Sequence, residues 1–160
     1  MEWLFPWLLF LHVLGAIVAF GPTFTFPFIG KMGGAEPQHA NFATRVSSTI
    51  SGRLIYPIGI TLPITGALMI IVRGIDLSSP AYRWLGLAII LYIIVFGYSY
   101  FVQNKLVQRV IEITSAPPPP GASGPPPELP PLVARIQRGS IAMMVGLLVI
   151  IMLMVVKPQF

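Results

Sequence analysis

Twenty-eight consecutive positions between Glu2 and Lys31 carry no fixed charge, and three further stretches repeat the pattern. A helix of about 20 apolar residues crosses the hydrocarbon core of a bilayer, whereas a helix on a soluble protein needs a polar side. The other uncharged runs lie between Arg53 and Arg73 (19 residues), Arg83 and Lys105 (21 residues), and Arg138 and Lys157 (18 residues). All four are continuous rather than short and alternating, which selects helices over the strands of a membrane barrel. Only 9% of the 160 residues are charged, against 55% hydrophobic, and the mean hydropathy is +0.81. A soluble surface would need roughly 25% charged residues. Four spans leave little chain for a soluble catalytic domain.

The spacing predicts one transmembrane domain over 1–160, an all-α antiparallel bundle of four transmembrane helices near 3–30, 42–72, 84–106 and 136–157. The first run exceeds the ~30 Å hydrocarbon thickness as a straight helix, so tilt or a break at Pro22 or Pro27 is expected. It lacks the basic start and short apolar core of a cleaved signal peptide. Trp3, Trp7 and Trp84 stand at run ends, where an interfacial aromatic belt belongs. Pro57 and Pro63 fall inside the second run, where neighbouring helices must re-satisfy the backbone. Asn41 to Gly52, rich in Ser and Thr, reads as the first turns of that same helix.

Seven basic residues (Lys31, Arg45, Arg53, Lys105, Arg109, Arg135, Arg138) fall on one side of the spans and three (Arg73, Arg83, Lys157) on the other. Cytoplasmic segments carry the excess, so the N and C termini are expected outside and both long connections inside, in a multi-pass protein of the bacterial inner (plasma) membrane. The net charge of +5 is thereby a matter of topology, with no nucleic acid implied. The connection 115–131 holds nine prolines in 17 residues and should be extended polyproline II on the cytoplasmic side. A spacer between antiparallel helices is its plainer reading, a docking motif the other.

Cysteine is absent, which excludes disulfides, thiolate chemistry and covalently attached haem. The five carboxylates (Glu2, Glu36, Asp76, Glu112, Glu128) all lie outside the runs. Carboxylate-driven transport and di-iron carboxylate chemistry are therefore disfavoured. His12 is the one ionisable imidazole inside a run. At depth it can ligate haem iron or copper or relay a proton, or it can stay neutral and hydrogen-bond a facing hydroxyl or carbonyl. His39 sits in a polar loop and reads as solvated.

Counting depth from the outer ends places Pro63, flanked by Thr61 and Thr65, opposite His12, with Tyr92 on the third run and Leu147 on the fourth. Met143, Met144 and Met152 lie within about two turns of Leu147 and offer a thioether as a second haem ligand or a soft copper ligand, or serve as packing. Arg73, Arg83 and Tyr82 lie at the outer end, where haem propionates could point. Toward the inner end, Arg45, Thr49, Arg53 and Tyr56 recur on one helix face and Tyr92, Ser99 and Gln103 on another, which reads as a pocket for an anionic group or as arginines reaching lipid phosphates. Gly15, Ala16 and Ala19 on the first run, and Gly59, Pro63 and Gly66 on the second, mark faces where backbones approach. A crossing there would draw His12 inward.

The segment Leu11-His12-Val13-Leu14-Gly15-Ala16, continuing to Phe20-Gly21, resembles the first helix of an uncharacterised bacterial four-span integral membrane family. That family is similar to the copper-resistance D proteins and to the HemJ-type membrane protoporphyrinogen oxidases. Pro57, Pro63, Thr65 and Gly66 resemble its second-helix pattern. The HemJ-type resemblance implies haem b bound through the first-helix histidine, here His12; the copper-type resemblance implies copper handling. The third run differs from the oxidase group in carrying no Lys or Arg.

These readings converge on an integral membrane protein binding haem b or a metal through His12 in a redox or electron-transfer role. The cofactor-binding candidates are His12, Met144, Met152, Tyr92, Arg73 and Arg83, with five-coordinate iron or a His/Met pair. The alternative is a non-catalytic accessory subunit, without cofactor, packed against a larger respiratory or photosynthetic membrane complex. Expected partners are membrane lipids, and other subunits or a second copy of the chain.

Overall fold

The computed structural model describes residues 2–116 and 124–159. Seven α-helices follow in chain order: α1 (Phe5–Phe20), α2 (Phe26–Ala35), α3 (Ala40–Ile50), α4 (Tyr56–Arg73), α5 (Arg83–Tyr98), α6 (Asn104–Ser115) and α7 (Leu129–Val156). Short 3₁₀ or π turns link most of them, so that they join into four long helices, Glu2–Ala35, Pro37–Arg73, Pro80–Ser115 and Leu129–Val156. Each is long and apolar enough to cross a membrane, and no strand occurs among the described residues. The molecule is a four-helix membrane bundle. Of the connection predicted over 115–131, residues 117–123 lie outside the described residues, and α7 already begins at Leu129.

The helices overrun the predicted spans. The second and third long helices have 37 and 36 residues, or roughly 55 Å of rise against a ~30 Å hydrocarbon core. The excess is amphipathic helix, α3 and α6, which pack against each other at the basic end of the bundle. Asn41 Nδ2 donates to Thr114 Oγ1 at 2.8 Å and Ser115 Oγ at 3.0 Å, and Gln108 Nε2 donates to Ser48 Oγ at 2.8 Å. Hydropathy marks where the bilayer ends, not where the helix ends.

Each proline has a local consequence. The first long helix breaks at Pro22, where Gly21–Phe24 tightens into a 3₁₀ turn, and restarts with Pro27 in the first turn of α2. Before Pro57, Ser51–Ile55 opens into a π turn whose closing Tyr56 N–H reaches back five residues to the Ser51 carbonyl. Pro63 lies inside α4 and has no N–H to give the carbonyl four residues back, that of Gly59. The Tyr92 hydroxyl from α5 donates to that carbonyl at 2.6 Å. A second π turn, Ser99–Gln103, faces the first, and Tyr56 donates its hydroxyl to the Ser99 carbonyl at 3.1 Å. Both π turns fall at the basic-end half of the bundle.

Two helix pairs carry the packing. α1 lies along α4, and α5 lies along α7. Trp84, Leu85, Ala88 and Leu153 form the core of the second pair. Between 11% and 28% of each apolar window is buried within the protein, so most of the spanning surface faces lipid. At the end opposite α3 and α6, the Arg73 guanidinium sits 4.0 Å above the Phe5 ring and the Lys157 ammonium 5.8 Å from the Trp84 ring. In the loop beyond Arg73, Asp76 accepts from the Ser78 N–H at 2.9 Å and hydroxyl at 2.7 Å, which holds its carboxyl below the usual range.

Tyr92→Phe is expected to orphan the Gly59 carbonyl in a waterless setting and destabilise the detergent-solubilised protein by about 1–3 kcal/mol. Adding Pro63→Ala supplies an N–H four residues on and is expected to restore most of the loss. Equal thermal unfolding of the single and double variants would contradict this reading of Tyr92.

Candidate functional site

His12 faces α4. Its Nδ1 lies 2.8 Å from Thr65 Oγ1, on a half-buried seam. The crossing is close because Gly15 rests on Leu62, where an added Cβ would stand 3.1 Å from Leu62 Cδ2. At Gly66 an added Cβ would stand 3.4 Å from His12 Cε1, so an edge of the imidazole packs against the helix at a position without a side chain. Of the small residues read from the sequence, Gly15 and Gly66 lie at this crossing, while Gly59 faces Phe96 on α5.

The partner fixes the tautomer. Thr65 Oγ1 lies 3.0 Å from both the Thr61 and the Leu62 carbonyls. Its one proton goes to those acceptors, as threonine hydroxyls in helices do. On that assignment Thr65 accepts from His12, the imidazole proton sits on Nδ1 and Nε2 is unprotonated. This is an assignment from the hydrogen-bond network. An imidazole whose Nδ1–H is held by an oxygen and whose Nε2 is open is the arrangement a histidine ligand adopts.

The other predicted residues are distributed unevenly around this seam. Arg73 belongs to it: it stacks on Phe5, which stands seven residues, about 10 Å, outward from His12 on α1. Arg83 opens α5 at the same end of the bundle. Tyr92 is engaged with Gly59 and stacks on Phe96 at 5.6 Å, forming with Tyr100 an aromatic row down α5. Met143 is buried, Met144 is half-buried and Met152 is 50% exposed. Their helix packs along α5, and meets the first long helix at Gly21–Phe24 and α2 rather than along α1. Among the described residues no group of three or more His, Asp or Glu side chains could hold a metal ion.

The inner polar stripe divides. Arg45, Thr49 and Arg53 are exposed and form no pocket, because the π turn at Ser51–Ile55 breaks the four-residue register that put them in line with Tyr56. Tyr92, Ser99 and Gln103 do share a wall. With α2, α3 and α7 they enclose a cavity of about 1610 Å³ in the basic-end half of the bundle. Gln103 is 6% exposed, and its Nε2 donates to the Ile136 carbonyl at 2.9 Å and Ser140 Oγ at 3.0 Å, while its Oε1 has no protein partner. The sequence pointed to a pocket on this stripe, but gave its other walls to Arg45, Thr49 and Arg53, which do not line it.

Fold and site together define a polytopic α-helical membrane protein with one intramembrane histidine held at a helix crossing. Over residues 6–158 the chain matches the DUF2269 family of predicted integral membrane proteins, and it belongs to that family. No curated protein and no solved structure matches it. The match establishes an integral membrane protein family and does not extend to the copper-resistance D or HemJ-type groups.

A double-mutant cycle on His12→Ala and Thr65→Ala is expected to return a coupling of about 0.6–1.7 kcal/mol, the range for hydrogen bonds between membrane helices. Additive losses would show that the two side chains are neighbours without a bond.

Proposed function

We propose that this integral membrane protein binds haem b through His12 Nε2 and serves a redox or electron-transfer role in the bacterial inner membrane, with both termini outside. The carrying observation is Thr65 Oγ1, 2.8 Å from Nδ1, a contact that would hold the imidazole by that nitrogen and present Nε2 to the iron. The donor set suits haem better than copper, since haem brings four ring nitrogens and needs one histidine, whereas copper would need several protein ligands that are not gathered among the described residues. Haem bound there would supply one-electron chemistry.

The chain's own residues do the rest. Thr65 orients the imidazole and strengthens Nε2 as a donor. Gly66 keeps the ring edge clear. Arg73, outward on the same seam, offers a cation to a propionate. With Tyr92 engaged elsewhere and α7 packed on α5, five-coordinate iron is preferred over the His/Met pair. The shallow burial of the spans leaves lipid-facing surface beside His12 for a second copy or another subunit. That same surface is what favours the rival reading, an accessory subunit of a larger membrane complex.

The visible spectrum of the purified protein, with haem supplied during expression, tests this. A Soret band is expected, lost in His12→Ala and kept, with a shifted reduction potential, in Thr65→Val. A colourless wild type, or a band unchanged in His12→Ala, would overturn the proposal; a colourless preparation that copurifies with other subunits would favour the accessory role.

A further inference from the structure

The cavity at the basic end is a second site, separate from His12, and its walls specify what enters. It is larger than the roughly 300–1,000 Å³ of a drug-sized ligand pocket. Its deep part is apolar, lined by Phe20, Phe26, Val95, Phe96, Met143 and Leu147. Nearer the basic end, α3 presents Thr44 and Ser47 to it, and the π turn that follows presents Ser51. A space of this shape within a bilayer is filled by something with an apolar body and a polar head.

The hydroxyls state the polarity of that head. Thr44 Oγ1 donates to the Ala40 carbonyl at 2.8 Å, Ser47 Oγ to the Ala43 carbonyl at 3.1 Å, and Ser51 Oγ to the Ser47 carbonyl at 3.0 Å. Each proton is spent on the helix's own backbone, so each oxygen offers the cavity only lone pairs. Gln103, on the opposite wall, turns its amide oxygen against Gly139 of α7 and not into the open volume. This wall therefore offers acceptors, while Lys31, Gln38, Asn104 and Gln137 bring donors elsewhere in the lining.

Charge and depth narrow it further. At the rim, Arg109 is neutralised by Glu112 and Glu128, each at 3.3 Å, so it does not act as a free cation for an anionic head. Lys31 stands exposed at the same rim. Arg45 and Arg53, exposed on either side of Ser47 and Ser51, mark the level where long basic side chains reach lipid phosphates. Headgroups of one leaflet lie at this level, and their chains run toward the bilayer middle.

We infer that this cavity holds a bilayer phospholipid whose headgroup donates hydrogen bonds, of the phosphatidylethanolamine type, with its ammonium toward Ser47 and Ser51 and its acyl chains along Phe96 and Leu147. Phosphatidylcholine, with the same phosphate and chains but no N–H, is the discriminating probe. An isoprenoid quinol, which donates through hydroxyls, is the competing source.

Native mass spectrometry of the full-length, delipidated protein titrated with each phospholipid of identical chains reads the preference directly. Two hydrogen bonds to the head correspond to about tenfold tighter binding of phosphatidylethanolamine. Ser47→Ala/Ser51→Ala is expected to bring the ratio close to one without lowering thermal stability, because these hydroxyls bond only their own helix. Equal binding of the two lipids by the wild type, a double variant that keeps the full preference, or a quinol retained in place of phospholipid would each overturn the inference.

Discussion

Inside a bilayer a backbone carbonyl has no water to turn to, and the placement of polar side chains in this bundle follows from that. Pro63 removes one N–H from α4, and Tyr92 reaches across from α5 to the carbonyl left behind. Tyr56 bonds the Ser99 carbonyl where the third long helix opens into its π turn. Gln103 bonds the Ile136 carbonyl on α7. These cross-helix bonds from side chain to backbone, rather than a deep core, register the second, third and fourth long helices; no large side chain among the described residues is fully buried. Hydrophobic burial adds little between helices whose alternative neighbour is lipid, so directional bonds and close contacts of small residues carry the specificity.

The His12 seam follows the same logic with a different outcome. Thr65 spends its proton on its own helix and its oxygen is left to accept, so the imidazole is anchored at Nδ1 and presented by Nε2. Packing by Gly15 and Gly66 makes the approach close enough for the bond. The same bond would also hold a neutral histidine packed between two helices, so what separates the two roles is whether Nε2 takes a ligand.

Much of this was legible in the chain. Runs without charge located four helices because charge cannot be carried into lipid cheaply, and the depth count put Pro63, flanked by Thr61 and Thr65, across from His12 because both helices rise by the same step per residue. The small residues on the first two runs foretold that crossing. What failed to show has a common cause: sequence periodicity assumes an unbroken 3.6-residue helix. The π turns at Ser51–Ile55 and Ser99–Gln103 shift the faces beyond them, which separated Arg45 and Arg53 from Tyr56 and helped to open the cavity. The Ser/Thr-rich stretch from Asn41 to Gly52 reads as helix and is α3, but α6 runs past the predicted end near 106 because it is a helix in or near water, stabilised by pairing with α3. The pairing of α7 with α5 rather than α1 depends on which apolar faces meet, and apolar faces on membrane helices look alike.

The account rests on the protonation state of one ring. Nitrogen-15 NMR of the haem-free protein, labelled at its two histidines and assigned with His12→Ala, reads it directly. The prediction is a neutral His12 with a protonated Nδ1 and an unprotonated Nε2. A proton found on Nε2 would mean that Thr65 donates to the ring instead, and would remove the free donor on which the site depends.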